Sequence, residues 1–509
     1  MSAPAASSQT AALLVLLAGS LNLSLWNNDF PLGYHYDEPK KVDFIREGWQ
    51  DFHHPLLMLQ IARAANAVLR FEDPFDVVVL GRTTTAFAAV LLVLVSSWLA
   101  RQMTGPGTSL LIALGVAVSP ITVMHAHYLK EDVLFAAWAV ASLASYIRLL
   151  RQPTLERAVV LGVTTGLAGA SQYKAGLLVP LFLAFPLFVS HPCRRNVYLQ
   201  GGFAAFVAVD VFLLVNLPLF ADVQGFLSGV QHDARQISSP SMPIRAWDHW
   251  CLFYWTQAII PGLTAPLAVA GLAGLGGTLI RWRKTAWEWR LLACYILLFY
   301  FVQEFSPSKP PPNYERYMVP VAPVLICFAG WLVDSVHAAL QGRMLWAGRA
   351  AAVILLAGYP AIVSVRLTHE LAQDTRERAD EWLNTHGGQA IWERFTGAGW
   401  SVEAAGDLDV GDLRERGVKY VVTSSFGYES FLRQAELAGQ PPMVSQRARG
   451  YRELFRHPFI EFRPEFRSFG FSNPVVRIVE VGDAAGIGTD GAWSRRINRP
   501  GLERHPNQE

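Results

Sequence analysis

Ala86-Phe87-Ala88-Ala89-Val90-Leu91-Leu92-Val93-Leu94-Val95-Ser96-Ser97-Trp98-Leu99 carries no charge and closes a run, 76–99, in which Asp76 and Arg82 are the only charged residues. A hydrocarbon layer about 30 Å thick is crossed by roughly 17 to 25 helical residues, so this run predicts a transmembrane helix. Ten other runs fit the same rule, at 10–26, 108–125, 131–149, 157–172, 175–190, 199–220, 262–280, 288–304, 316–334 and 346–366. The chain reads as a polytopic α-helical membrane protein with about 11 transmembrane helices. The first run lacks the charged flank of a signal peptide, the first cation being Lys40, and is expected to remain as an uncleaved span.

Charge divides the chain in two. Of 509 residues only 17% are charged, against roughly 25% in a soluble domain. Up to Arg366 the share is about 12%, and beyond it about 27%. Residues 1–366 therefore call for an apolar solvent, while 367–485 are numerous and polar enough for a small α/β domain of their own. A Gly- and Arg-rich tail, 486–509, is expected to be frayed. A net charge of +2, with no dense basic block, excludes a nucleic-acid footprint. Cys193, Cys251, Cys294 and Cys327 have no CxxC spacing and read as small buried hydrophobes.

Orientation follows from the loops. Alternate connections carry twelve Lys and Arg, among them Arg148, Arg151, Arg157, Arg194, Arg195, Arg281, Arg283 and Lys284, against Glu156, Glu288 and Asp334. The positive-inside rule makes that face cytoplasmic and puts the loop at 27–75, the turns at 126–130 and 173–174, the loops at 221–261 and 305–315, and the 367–485 domain outside. In the first outer loop Leu57, Ile61 and Ala65 share one helical face and Arg63, Asn66 and Arg70 another, as in a helix lying in the membrane interface.

The outer face gathers the chemically capable residues. Tyr36-Asp37-Glu38 places adjacent carboxylates where desolvation is costly, which suits a general base. His53-His54-Pro55 follows. His125-Ala126-His127-Tyr128-Leu129-Lys130-Glu131-Asp132 brings a second carboxylate pair to a helix start, where acids also complement the helix dipole. Lys174 sits between two closely spaced spans, and Lys309, Arg316 and Tyr317 flank a proline-rich outer connection; cations at this depth suit a lipid phosphate. His232-Asp233 and Trp247-Asp248-His249-Trp250 add polar and aromatic groups. No metal-ligand set is complete, so no metal site is assigned and a divalent cation is left open.

Taken in order, Tyr36-Asp37-Glu38, the His-Pro step, Leu129-Lys130-Glu131-Asp132-Val133, Gly169 to Lys174, and Arg316-Tyr317-Met318-Val319-Pro320 resemble the C-type (GT-C) glycosyltransferases, and within them family 39, the protein O-mannosyltransferases and lipid A aminoarabinose transferases. The likeness covers residues 10 to about 366. It implies a donor that is a polyprenyl-phosphate sugar, an extracytosolic acceptor, and inversion at the anomeric carbon. It implies that Asp37 is the general base or the carboxylate that orients the acceptor, with Glu38 beside it, that Asp132 matches the acid of the second outer turn, and that Lys174 and Arg316 grip the donor phosphate; Lys309, a cation at the same interface, is a further candidate for that phosphate. Tyr36, His53, His54, Glu131 and Tyr317 are further candidates for substrate contact. Two departures stand out: the family's His-Pro-Pro-Leu is His53-His54-Pro55-Leu56, and Lys-Gly is Lys174-Ala175-Gly176. The localisation implied is the plasma membrane, with the active site on the extracytosolic face. A transporter or flippase is the alternative, but it would place charge at mid-membrane, where Asp210 is the single deep acid, and would show repeated halves.

In the outer domain, helix signals at 375–385 and around Leu413, and strand signals at 389–392, 419–423 and 475–481, predict the α/β alternation.

Overall fold

The computed structural model describes residues 3–48, 52–188, 194–238, 252–306, 314–339, 342–396, 401–436, 441–466 and 469–482. The chain divides into two compact units, Met1–Asp29 with Glu38–His369, and Phe30–Asp37 with Glu370–Glu509. The tail predicted at 486–509 lies outside the described residues.

The first unit is helical. α1 (Ala3–Leu25) leads to α2 (Glu38–Glu47) and α3 (Leu57–Leu69), then α4 (Pro74–Arg101), α5 (Pro106–Val118), α6 (Pro120–Ala126), α7 (Asp132–Arg151) and α8 (Leu155–Ser171). There follow α9 (Leu178–Ala184), α10 (Arg194–Val215), α11 (Val223–Ser238), α12 (Ile260–Leu263), α13 (Ala265–Ile280), α14 (Trp287–Phe305), α15 (Ala322–Ala339), α16 (Gly342–Val353) and α17 (Tyr359–Leu371). Asp73 caps α4 by accepting from the Phe75 amide at 2.8 Å, with Pro74 in the first position, where a missing N–H costs nothing.

Among the described residues six helices are long and apolar enough to cross a membrane, or eight if each of two bent pairs is one span. The protein is an integral membrane protein. The expected eleven are not reached by straight helices. The 108–125 run breaks by 52° between α5 and α6 at Ser119-Pro120, and the chain bends by 112° at Thr264, whose φ is +69°. The 175–190 run becomes a 3₁₀ turn, the seven-residue α9 and another 3₁₀ turn, and α14 carries Glu288, Arg290 and Glu304. Helix contacts rest on small residues: a Cβ added at Gly162 or Gly166 of α8 would come within 2.6 Å of the Ala204 or Ala208 carbonyl of α10.

In α3 Leu57, Leu59, Ala62 and Asn66 are buried while Ile61 and Val68 are exposed, and the Asn66 side chain accepts from the Phe71 amide at 3.1 Å where the helix ends at Arg70, φ +59°.

In the second unit α18 (Thr375–His386) precedes β1 (Gln389–Trp392), α19 (Val410–Glu415), β2 (Val418–Ser424), α20 (Ser425–Gln434), α21 (Pro442–Leu454), β3 (Phe459–Phe462) and β4 (Val476–Glu480). The sheet order is β1-β2-β4-β3, parallel between β1 and β2 and antiparallel elsewhere. Alternation along β2 sends Tyr420 and Val422 into a core with Ala379 and Leu383 of α18, and Val421 into one with Leu413, Tyr451 and Leu454. β3, α20 and α21 form where no local sequence signal announces them.

Candidate active site

The turn between α6 and α7 is buried throughout, and its charges are paired across long stretches of chain. Glu38, at the start of α2, accepts from Arg82 of α4 at 3.0 Å (Nε) and 2.6 Å (Nη2), and its Oε1 also accepts from the Leu129 amide at 3.0 Å. Both side chains are fully buried, and Arg82 Nη1 donates to the Asn28 carbonyl at 3.1 Å. Glu38, expected beside the base, thus ties α2 to α4 and to the second outer turn. Lys41 of α2 pairs with Glu131 at 2.5 Å, so Glu131 is also held by a cation of its own unit.

Beside these pairs lies an open recess of about 430 Å³, lined by His54, Lys130, Asp132, Gln172, Tyr173, Lys174, Asp233, Arg316 and Tyr317. Asp132 accepts from Gln172 Nε2 at 2.7 Å, while its second oxygen is buried with no hydrogen-bond partner. Lys174 Nζ stands 3.8 Å from the centre of the Tyr317 ring, and the Arg316 guanidinium 5.2 Å from it, so one electron-rich ring holds two cations side by side. Burial lowers the Lys174 ammonium, with Tyr317 and Asp132 opposing and Arg316 assisting. Burial brings the half-buried His54 down to about 4, with Glu131 opposing and Lys130, Lys41 and Arg316 assisting, so its imidazole is neutral at pH 7.

Six residues named from sequence meet at the recess: His54, Asp132, Lys174, Asp233, Arg316 and Tyr317. His53 instead packs its ring 4.2 Å from that of His232. His127 is a satisfied core histidine, its ring nitrogens 2.7 and 3.0 Å from the Val123 and Trp26 carbonyl oxygens. Tyr36 and Asp37 belong to the segment of the second unit, where Tyr36 lies under Arg394 at 3.5 Å and the Asp37 amide donates to His35 Nδ1 at 3.2 Å. Lys309 and Trp247-Asp248-His249-Trp250 lie outside the described residues. Gln172, Tyr173 and Lys130 also line the recess, although the sequence reading gave them no role within the stretches it quoted, and Arg82, the buried partner of Glu38, left only the signal of a cation in a largely apolar run. Among the described residues no three His, Cys, Asp or Glu side chains are grouped to hold a metal ion, and Cys294 and Cys327 are free.

No family model and no curated protein matches the sequence. Solved structures do. ArnT from Cupriavidus metallidurans bound to undecaprenyl phosphate matches with a TM-score of 0.55 over 94% of this chain and 98% of its own, at 15% identity. The chain has the GT-C fold. The archaeal oligosaccharyltransferase AglB from Archaeoglobus fulgidus, in complex with an inhibitory peptide and a dolichol-phosphate, matches with a TM-score of 0.56 over 86% of this chain and 72% of its own, at 13% identity.

Proposed function

We propose that this GT-C chain is a membrane glycosyltransferase, of the family 39 type, that moves one sugar from a polyprenyl-phosphate donor to an extracytosolic acceptor at the plasma membrane. The observation that carries the reading is the recess: Lys130, Lys174 and Arg316 present three cations beside two acids, Asp132 and Asp233, near the ends of apolar helices. Such a set suits an anionic phosphate that cannot enter hydrocarbon. The two solved relatives hold undecaprenyl phosphate and dolichol-phosphate, both polyprenyl phosphates.

In this reading an acceptor oxygen attacks the anomeric carbon and the carbon–oxygen bond to phosphate breaks. The bonding pair leaves with the polyprenyl phosphate, whose charge Lys174, Arg316 and Lys309 neutralise, while the acceptor proton passes to Asp37. Asp132, held by Gln172, offsets the mutual repulsion of Lys174, Arg316 and Lys130. Tyr317 fixes Lys174 and Arg316 through its ring. His54, neutral at working pH, adds a hydrogen-bonding group without adding charge. Glu38 and Glu131, each held by a buried cation, brace the turn that leads into Asp132.

The test uses purified protein in detergent with a panel of polyprenyl-phosphate sugars, read by thermal shift and by sugar transfer. Lys174→Ala and Arg316→Ala are expected to weaken donor binding by about 10- to 100-fold each, the value of a charged hydrogen bond. Asp37→Asn is expected to keep donor binding and to lose about 10²- to 10⁴-fold in kcat. If no polyprenyl phosphate shifts the melting temperature and no sugar moves, the reading is wrong.

A further inference from the structure

The second unit is discontinuous: eight residues of the first outer loop, Phe30–Asp37, fold with the chain from Glu370 onward. The contact is built rather than incidental. Gly33, at φ +95°, makes a turn that side-chain-bearing residues rarely adopt, and it delivers Tyr34 into the unit. The Tyr34 ring is buried with the Arg376 guanidinium 3.7 Å from its centre, and Arg376 Nη1 donates to the Tyr34 carbonyl at 3.3 Å.

Arg376 is itself fixed. Its Nε and Nη2 donate to Asp374 at 2.8 and 2.7 Å, and Nη2 also donates to the Phe471 carbonyl at 2.8 Å. Asp374 accepts in addition from the Asn473 amide at 2.8 Å, and Asn473 Oδ1 accepts from the Thr375 amide at 2.9 Å. The next residue, His35, is buried with its ring 4.4 Å from Phe471, and its Nδ1 accepts the Asp37 amide. The chain is thus pinned within the second unit at Tyr34, three residues before Asp37, and at His35, two residues before it.

We infer that Tyr34, His35 and Arg376 are positioning residues for Asp37, the second unit holding the main chain that carries this carboxylate. This rests on the reading of Asp37 given above. A carboxylate displaced by about 1 Å from its reacting proton can lose on the order of 10²-fold in rate while the donor is bound as before.

The experiment measures kcat, donor KM and melting temperature on the full-length protein for Tyr34→Leu, Tyr34→Phe, His35→Ala and Asp37→Asn. Tyr34→Leu leaves the buried Asp374–Arg376 pair intact and removes only the ring beneath it. The expected result is a kcat lower by on the order of 10²-fold, with donor KM and melting temperature unchanged and with Tyr34→Phe behaving as wild type, since the ring and not the hydroxyl faces Arg376. Wild-type kcat in Tyr34→Leu, or a joint fall in kcat, donor affinity and melting temperature, overturns the inference. Should Tyr34→Leu not fold, His35→Ala carries the same test, and its unchanged kcat overturns it likewise. Asp37→Asn as active as wild type would instead sink the catalytic reading, and this inference with it.

Discussion

In the membrane unit Glu38 is fully buried and meets Arg82 in a two-bond pair, whereas in the outer unit Glu393 is fully buried among four neutral donors: the Thr423 and Tyr451 hydroxyls and the Ala405 and Ser424 amides. The surfaces differ in the same sense. Among the described residues, the membrane unit exposes a long series of large apolar side chains, Ile280, Val68, Val15 and Phe305 foremost, while the second unit exposes only Tyr36, Met443, Phe459 and Ile460. One unit faces lipid and keeps its charge inside as ion pairs, because an unpaired ion there has neither water nor partner. The other faces water, and can hold a lone acid whose proton comes and goes with the pH.

The comparison breaks most sharply at Arg82. Arg82→Ala strands a buried carboxylate and is expected to cost about 3–5 kcal/mol, seen as a large fall in melting temperature. The double change Arg82→Met with Glu38→Leu should recover most of it. If the single change were neutral, Glu38 would not depend on its partner and the contrast with Glu393 would vanish.

Glu393 gives the next effect. Burial raises its carboxyl to about 7, the hydrogen bonds from Thr423, Tyr451, Ala405 and Ser424 opposing. An acid whose folded value lies above its unfolded one binds its proton more tightly when folded. Its contribution is full below about 4.5 and is lost as pH rises to 7, about 3 kcal/mol in all. Glu393→Gln is expected to remove that slope, so the variant should gain on wild type between pH 4.5 and 8 in melting scans. Parallel curves would show that Glu393 does not titrate there.

The smallest effect compares close packing. A Cβ at Gly450 of α21 would collide with the Gly406 carbonyl, and one at Gly162 of α8 with that of Ala204. Either change to Ala is expected to cost about 1–3 kcal/mol. The loss at Gly162 should be reduced where lipid lets α8 and α10 slide, and equal losses would argue against that difference.

The long apolar runs were legible because the rule behind them is local. α4 extends its predicted run by two residues at each end, and α18, β1, β2 and β4 fall on their helix and strand signals. What the sequence concealed depends on distant partners. The break at Thr264 and the short α9 follow from packing, and β3 and α21 are made by pairing with β4 and by a core shared with Tyr428 and Val479. In the site, Lys174 and Arg316 each stood out as cations at a helix end. That one tyrosine ring lies under both is a relation between residues more than 140 positions apart, and no local pattern encodes it. The pairing of Glu38 with Arg82 was hidden for the same reason, its two members lying 44 positions apart.

The interrupted path of the chain also sets an order of assembly. Residues 30–37 leave the ribosome early, but the helix and loop that enclose Tyr34 begin only at Glu370. At roughly 5–20 residues per second, the segment waits on the order of tens of seconds for its partners. The stretch bearing Asp37 is therefore among the last parts of the molecule to reach its final place, and a newly made chain stays unfinished at that position until the outer domain has been translated and folded around it.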